Sequence, residues 1–400
     1  MNFTRRQVSA SLAALPFMPS ILRAQTPIRI GDLMSYTAVP AYGLPYRNGW
    51  QLALEEVNAA GGVLGGPLEV VSRDDGGKPN DAVRAAEELV SREKVAFLFG
   101  QTLSNVGLAV NDFAKRNKTV YLPAEILSDA LVLDQGSRYT MRHGIGTYTM
   151  AAQMFAEARK QAPKRWAIVM PNYEYGQSTA AHFKKLVAEQ TPDAEVVVEQ
   201  YPALGKTDGG AVVQALLAAN PDAIFNGTFG ADLFKIVREG KLRGLYEGRQ
   251  VYSLVTGSPE WLDNMKDEAP VGWRVTGYPW QSIKKPEHTS FLDAYMKKYG
   301  THPTRSATVG FATLKAAAAL IQKAGSTETE ALVAAMPGLT FMTPYGEINI
   351  RGEDNQGNTG AFVGTIAVEN GKGIMKDVSY IPGDDFLIPL EEVKAKRPAE

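Results

Sequence analysis

From Pro27 onward, short β-branched and aromatic runs alternate with stretches whose apolar side chains recur every three or four positions, the pattern of parallel strands covered by helices. Strands are predicted at Ile28 to Leu33, Leu68 to Ser72, Val95 to Phe99 and Thr119 to Leu122. Between them Tyr46, Trp50, Ala53 and Val57 keep helical spacing and stop at Gly61-Gly62. Val83, Ala86 and Val90 mark a second helix, and a third spans about 104–116.

After a break around Gly144 to Thr147 the alternation restarts, with strands at Trp166 to Met170, Glu195 to Glu199, Ala223 to Gly227, Gln250 to Val255 and Trp273 to Gly277. Helices are expected at Gln177 to Glu189 and Ala231 to Arg243, then at Glu287 to Tyr299 and Thr304 to Lys323. Two comparable sets in succession imply an α/β protein of two lobes, each a mostly parallel sheet flanked by helices. The later helices start no third set, so they are expected to complete the first lobe. The division expected is 26–145 plus 278–347 for the first lobe and 146–277 plus 348–400 for the second. Thr340 to Ile350 and Gly360 to Tyr380 alternate without helical period and read as hairpin strands that finish the lobes.

Residues 1–25 read differently. Arg5 and Arg6 precede a modestly apolar stretch from Val8 to Leu22, interrupted by Pro16 and Pro19, and Leu22-Arg23-Ala24 stands before Gln25. This predicts a cleavable export signal; Thr4-Arg5-Arg6-Gln7 resembles a twin-arginine start, although Val8 and Ser9 stand where that motif usually has Phe and Leu. Losing Arg5, Arg6 and Arg23 with no acid moves the formal charge from -1 to -4. A chain this balanced lacks the basic excess that nucleic acid demands. The absence of cysteine excludes disulfides, thiolate metal sites, a cysteine nucleophile and a lipid anchor on an N-terminal cysteine. A freely diffusing periplasmic monomer is the expectation.

No catalytic constellation is legible along the chain. His143, His182, His288 and His302 stand isolated, no G-x-S-x-G occurs, and Gly205-Lys206-Thr207 has Gln200 where a phosphate loop needs glycine. Gly61-Gly62-Val63-Leu64-Gly65-Gly66 follows a helix instead of opening one after a strand, so it reads as a helix stop and tight turn. Asp74-Asp75, between a strand and a helix, reads as loop closure in preference to a cation site. No enzyme, cofactor or metal is expected. In open α/β sheets ligands sit beyond the carboxyl ends of strands. The loops there, Met34 to Gly43, Gly100 to Ser104, Pro123 to Ser128, Pro171 to Gln177, Thr228 to Ala231, Thr256 to Pro259 and Tyr278 to Ile283, are rich in hydroxyls, aromatics and glycine. Their chemistry is hydrogen bonding and stacking.

Several stretches carry a resemblance over nearly the whole chain after residue 25. They are Tyr42-Gly43, Gly49-Trp50-Gln51-Leu52-Ala53, Asn58-Ala59-Ala60-Gly61-Gly62-Val63, Asp74-Asp75, Ala82-Val83 through Leu89-Val90, Gly100-Gln101-Thr102-Leu103-Ser104, Tyr173-Glu174-Tyr175-Gly176-Gln177 and Asn220-Pro221-Asp222. In this order the sequence resembles the type I periplasmic binding proteins of the Leu/Ile/Val-binding family. The resemblance implies two lobes joined by three hinge strands around a buried ligand, with an ABC permease and its ATPase as partners. It also implies a binding role for Ser104, as a hydroxyl on the ligand carboxylate at a helix start, and for Tyr42, Tyr175 and Phe229 as aromatic closers.

Two departures from the family pattern bear on the ligand. Leu127, beside Ser128, replaces a threonine that bonds the ligand's carboxylate and amine, and Val255, followed by Thr256, replaces the glutamate that holds the ammonium. A buried ammonium without an acid is disfavoured. Glu125 and Asp232 are the candidate substitutes, and with Tyr278 and Trp280 adding to the aromatics near the cleft, an apolar or aromatic organic acid becomes the alternative to an amino acid. A sensor presenting ligand to a membrane receptor is the alternative role.

Overall fold

The computed structural model describes residues 26–399, so the predicted export signal lies outside the described residues. The first unit runs β1 (Ile28–Met34), α1 (Pro40–Ala59), β2 (Leu68–Asp74), α2 (Pro79–Ser91), β3 (Leu98–Gly100), α3 (Ser104–Asn117) and β4 (Tyr121–Pro123). Its sheet is wholly parallel in the order β2-β1-β3-β4.

The second unit runs α4 (Thr147–Ala158), β5 (Arg165–Val169), α5 (Glu174–Gln190), β6 (Glu195–Gln200), α6 (Gly209–Ala219), β7 (Ala223–Asn226), α7 (Gly230–Leu242), β8 (Gln250–Gly257), α8 (Pro259–Met265) and β9 (Arg274–Gly277). The chain then returns through α9 (Pro286–Tyr299), α10 (Arg305–Ala324), α11 (Thr329–Ala335), β10 (Thr340–Thr343), β11 (Gly346–Arg351) and β12 (Gln356–Gly357). It ends in β13 (Ala361–Glu369), β14 (Lys372–Ile381) and α12 (Leu390–Lys396). The second sheet is ordered β14-β13-β9-β8-β7-β5-β6, parallel from β9 to β6, with the antiparallel β13–β14 hairpin added beside β9.

These elements form two lobes with separate cores. One contains Ile30, Phe97, Leu122 and Met141 from the first unit and Phe291, Leu314, Phe341, Ile348 and Ile350 from the return. Ile145, Ile168 and Phe225, and alongside them Val213, Val275 and Ile366, fill the second lobe. The chain passes between cores three times, between Met141 and Ile145, Val275 and Phe291, and Ile350 and Ile366. Sequence placed the last exchange at 347/348, but Ile348 and Ile350 alternate inward with the first core, which extends that lobe past the expected boundary.

Helix α10 lies against α1 so closely that a Cβ on Gly49 would sit 1.9 Å from the Ala307 carbonyl oxygen, and one on Gly310 2.1 Å from that of Tyr46. Glycine at both contacts lets the backbones touch, and this fixes where α10 begins. Asp74 and Asp75 do close a loop, accepting the N–H of Gly76 and Gly77 at 3.0 and 2.7 Å. Strand β3 starts at Leu98, later than predicted, because Val95 donates its N–H back to the Leu89 carbonyl while leaving α2. Helix α4 carried no readable period: Met150, Ala151, Ala152, Gln153, Met154 and Phe155 are consecutively buried.

Candidate functional site

The strand ends of both lobes face a cavity with about 700 Å³ of empty volume. Its aromatic wall is Tyr42, from the first lobe, against Tyr173, Tyr175, Phe229 and Trp261 from the second. Tyr42 meets Phe229 edge-on across the cleft, with ring centroids 5.9 Å apart, and Tyr173 and Tyr175 flank Phe229 at 6.5 and 6.4 Å. Burial raises the phenol pKa of Tyr42 and Tyr175, so both keep their protons at neutral pH.

Val255 and Thr256 reach this wall through an irregularity in β8. Its pairing with β9 holds to Ser253 and resumes only at Gly257. In between, Val255 takes a φ of 54°, a left-handed conformation that for a β-branched residue costs about 1–3 kcal/mol. Its amide is held by Thr276 Oγ1 at 2.9 Å, and Thr256 Oγ1 meets Ser253 Oγ at 2.6 Å.

The charged wall is Glu125, Glu260 and Arg305. Glu125 follows β4 and is only 4% exposed; its Oε1 accepts from Arg305 Nη1 at 3.1 Å and Ser306 Oγ at 3.0 Å, and its Oε2 from Thr102 Oγ1 at 3.0 Å. Burial raises its pKa against the opposing pull of Arg305. Glu260 opens α8, and its Oε1 accepts the Ser306 N–H at 3.0 Å, joining the lobes across the cleft. Ser128 Oγ to Glu174 Oε1 at 2.6 Å and His302 Nε2 to Asp263 Oδ2 at 3.1 Å also join them.

Four cavity-lining side chains carry a buried polar atom with no partner: Tyr175 Oη, Ser258 Oγ, Glu260 Oε2 and Trp261 Nε1. Ser258 is the N-cap of α8, where serine ordinarily spends its oxygen on a backbone N–H, yet it makes no cap bond. A buried polar atom left unpaired costs on the order of 1–3 kcal/mol, and four around one cavity describe the complement of a polar ligand. Three can donate, and Glu260 Oε2 accepts. Among the described residues no group of three metal-ligating side chains forms, and no helix is long and apolar enough to cross a membrane.

Of the residues expected at the site, Tyr42, Glu125, Leu127, Tyr175, Phe229, Val255 and Thr256 line this cavity. Ser104 does not: its Oγ accepts the Ser128 N–H at 3.3 Å, and both residues sit behind the wall, with Leu103 and Thr102 in front. Tyr278 is bonded to His288 Nε2 at 2.8 Å, and Trp280 stacks on His302. Asp232 is no substitute acid, because it receives the N–H groups of Gly205 and Thr207 at 2.6 and 3.2 Å. The cavity also holds an acid, Glu260, that sequence reasoning missed together with Tyr173, Ser258, Trp261 and Arg305. Tyr173 and Ser258 lay in loops already marked by the strand-end rule; Arg305 follows no strand.

A profile of the family described as "Periplasmic binding protein" matches residues 27–372. The Leucine-, isoleucine-, valine-, threonine-, and alanine-binding protein of Pseudomonas aeruginosa is 26% identical over 334 residues, covering 82% of this chain and 86% of that one. The Leu/Ile/Val-binding protein of Escherichia coli is 24% identical over 304 residues, covering 74% of this chain and 79% of that one. Among solved structures, an amino acid ABC transporter substrate-binding protein from Pseudomonas fluorescens superposes with a TM-score of 0.82 at 22% identity, over 94% of this chain and all (100%) of that one. A solute binding protein of an ABC transporter from Rhodopseudomonas palustris, in complex with 3,4-dihydroxy benzoic acid, gives 0.78 at 22% identity, over 88% of this chain and 97% of that one. With two α/β lobes facing one cavity and a family match spanning both, the chain belongs to the periplasmic binding proteins, in their branched-chain amino-acid group.

Proposed function

We propose that the protein is the exported, periplasmic binding component of an ABC importer and that it closes its lobes on a small carboxylate-bearing solute. The relatives named above are binding proteins and transporter components by name, which favours import over presentation to a receptor. The observation that carries the ligand class is the set of unpaired polar atoms at Tyr175, Ser258, Glu260 and Trp261. Together with Arg305 they suit a carboxylate that accepts several bonds, attached to a group that donates one to Glu260 Oε2. An α-amino acid with an apolar body meets both demands, and the aromatic wall accommodates that body. A simple organic acid meets only the first.

The first lobe is then 26–145 with the return through about residue 357, and the second is 146–277 with the β13–β14 hairpin. Closure turns on the three crossings. Native mass spectrometry of protein recovered from the periplasm tests the proposal: the expected result is a chain beginning at Gln25 and carrying an amino acid or another small carboxylate. A chain retained in the cytoplasm from Met1, or a bound molecule without a carboxylate, would overturn it.

A further inference from the structure

A second cavity, with about 780 Å³ of empty volume, lies beside the first and is lined by residues of all three crossings, Gly144, Gly277 and Gly360 among them. Leu127, Val255 and Arg305 belong to both walls. The chemistry of the two cavities differs. The polar groups of the second cavity already have partners: His143 Nε2 with Thr313 Oγ1 at 2.8 Å, Thr308 Oγ1 with Tyr345 Oη at 2.9 Å, Thr359 Oγ1 with the His143 carbonyl at 2.6 Å, and Arg305 with Glu125 at 3.1 Å. None of the buried unpaired polar atoms of the described residues lies on this wall. What faces the space is largely apolar, from Ile145, Met150, Val309, Ala312, Ala361 and Phe362. Burial pushes the His143 imidazole down to about 4, so it adds no charge at neutral pH.

Val255 stands at the junction in its strained left-handed conformation. Such strain persists only where surrounding structure imposes it, and it clusters where a protein handles a ligand. Without the irregularity in β8, this side chain would follow the regular strand and would not stand between the two cavities.

We propose that the ligand is amphiphilic, its polar head held in the cleft cavity and its apolar chain passing Leu127 and Val255 into the hinge chamber. This rests on the solute-binding reading and extends it: the chain is longer than the side chain of leucine.

The test is calorimetric titration of the exported protein with norvaline, norleucine, 2-aminooctanoate and 2-aminodecanoate, beside carboxylic acids of the same lengths. Affinity should climb along the amino-acid series by up to about fourfold per added methylene. Ala312→Leu, filling the chamber from α10, should abolish the climb while leaving norvaline within threefold; Ala361→Leu does the same from β13 should the helix variant not fold. Affinity that peaks at norvaline and falls with length, unchanged by either variant, overturns the hinge chamber and leaves the cleft reading standing. Failure of every member of both series to bind, short and long alike, overturns both.

Discussion

Replacing Glu260 by glutamine isolates the unpaired carboxylate oxygen in the cleft. The substitution keeps Oε1 for the Ser306 N–H and changes Oε2 from an unpaired acceptor into a donor. A hydrogen bond to a charged group contributes about 1.5–3 kcal/mol, so an α-amino acid should lose about 10- to 150-fold in affinity. The 2-keto acid with the same side chain has no ammonium to lose; removing a negative charge beside its carboxylate should leave its affinity unchanged or raise it. Leucine and 4-methyl-2-oxopentanoate, titrated in parallel against the parent protein and Glu260→Gln, therefore give a ratio that cancels any general damage to the cleft. The parent should favour leucine and the variant should narrow or reverse that preference. Equal losses for both ligands would refute the assignment of Glu260 Oε2 to the ammonium, and a parent that favours the keto acid would return the site to the organic-acid reading that Val255 first suggested.

Tyr175→Phe removes a hydroxyl with no partner, so thermal stability should hold while ligand affinity falls by about 2- to 12-fold in calorimetry. Gly49→Ala drives a methyl into the Ala307 carbonyl and should lower stability in urea unfolding by about 1–3 kcal/mol, with Gly310→Ala acting alike against Tyr46; unchanged midpoints would contradict the close crossing of α1 and α10. Burial lowers the His143 pKa from 6.5 to about 4, so the unfolded chain binds this proton first as the solution is acidified. Its contribution is full above about pH 6.5 and is lost towards pH 4, a change of roughly 2–3 kcal/mol that urea titrations across this range should show and that His143→Gln should flatten.

Lobe count and most elements were legible because their residues alternate on local periods that a linear reading detects, whereas the order of strands in each sheet, set by contacts between distant segments, was not. Tyr42, Tyr175, Phe229, Leu127 and Val255 were named through the family resemblance, and each lies near or follows a strand end. What escaped depends on distant parts of the chain. Arg305 reaches the cleft from the start of a helix, placed there by the contact of Gly49 with Ala307. Ser104 and Ser128 have the chemistry of ligand contacts, but their oxygens are directed to Ser128 N–H and Glu174, a matter of rotamer and not of residue type. Glu260 stands in the first turn of α8, one residue beyond the loop Thr256 to Pro259 that the strand-end rule marks.

The pairing of Gly49 with Ala307, and of Tyr46 with Gly310, also orders events during synthesis. A nascent chain that has passed Gly277 possesses both parallel sheets, yet the face of α1 that will receive α10 is still bare and the guanidinium of Arg305 has not been made. The last contributors to the first core, Phe341, Ile348 and Ile350, arrive later still. Domains whose halves are so separated pay their closure entropy late and expose apolar surface meanwhile. The cleft is therefore without Arg305, and the first core without its last strands, until the return segment has been made.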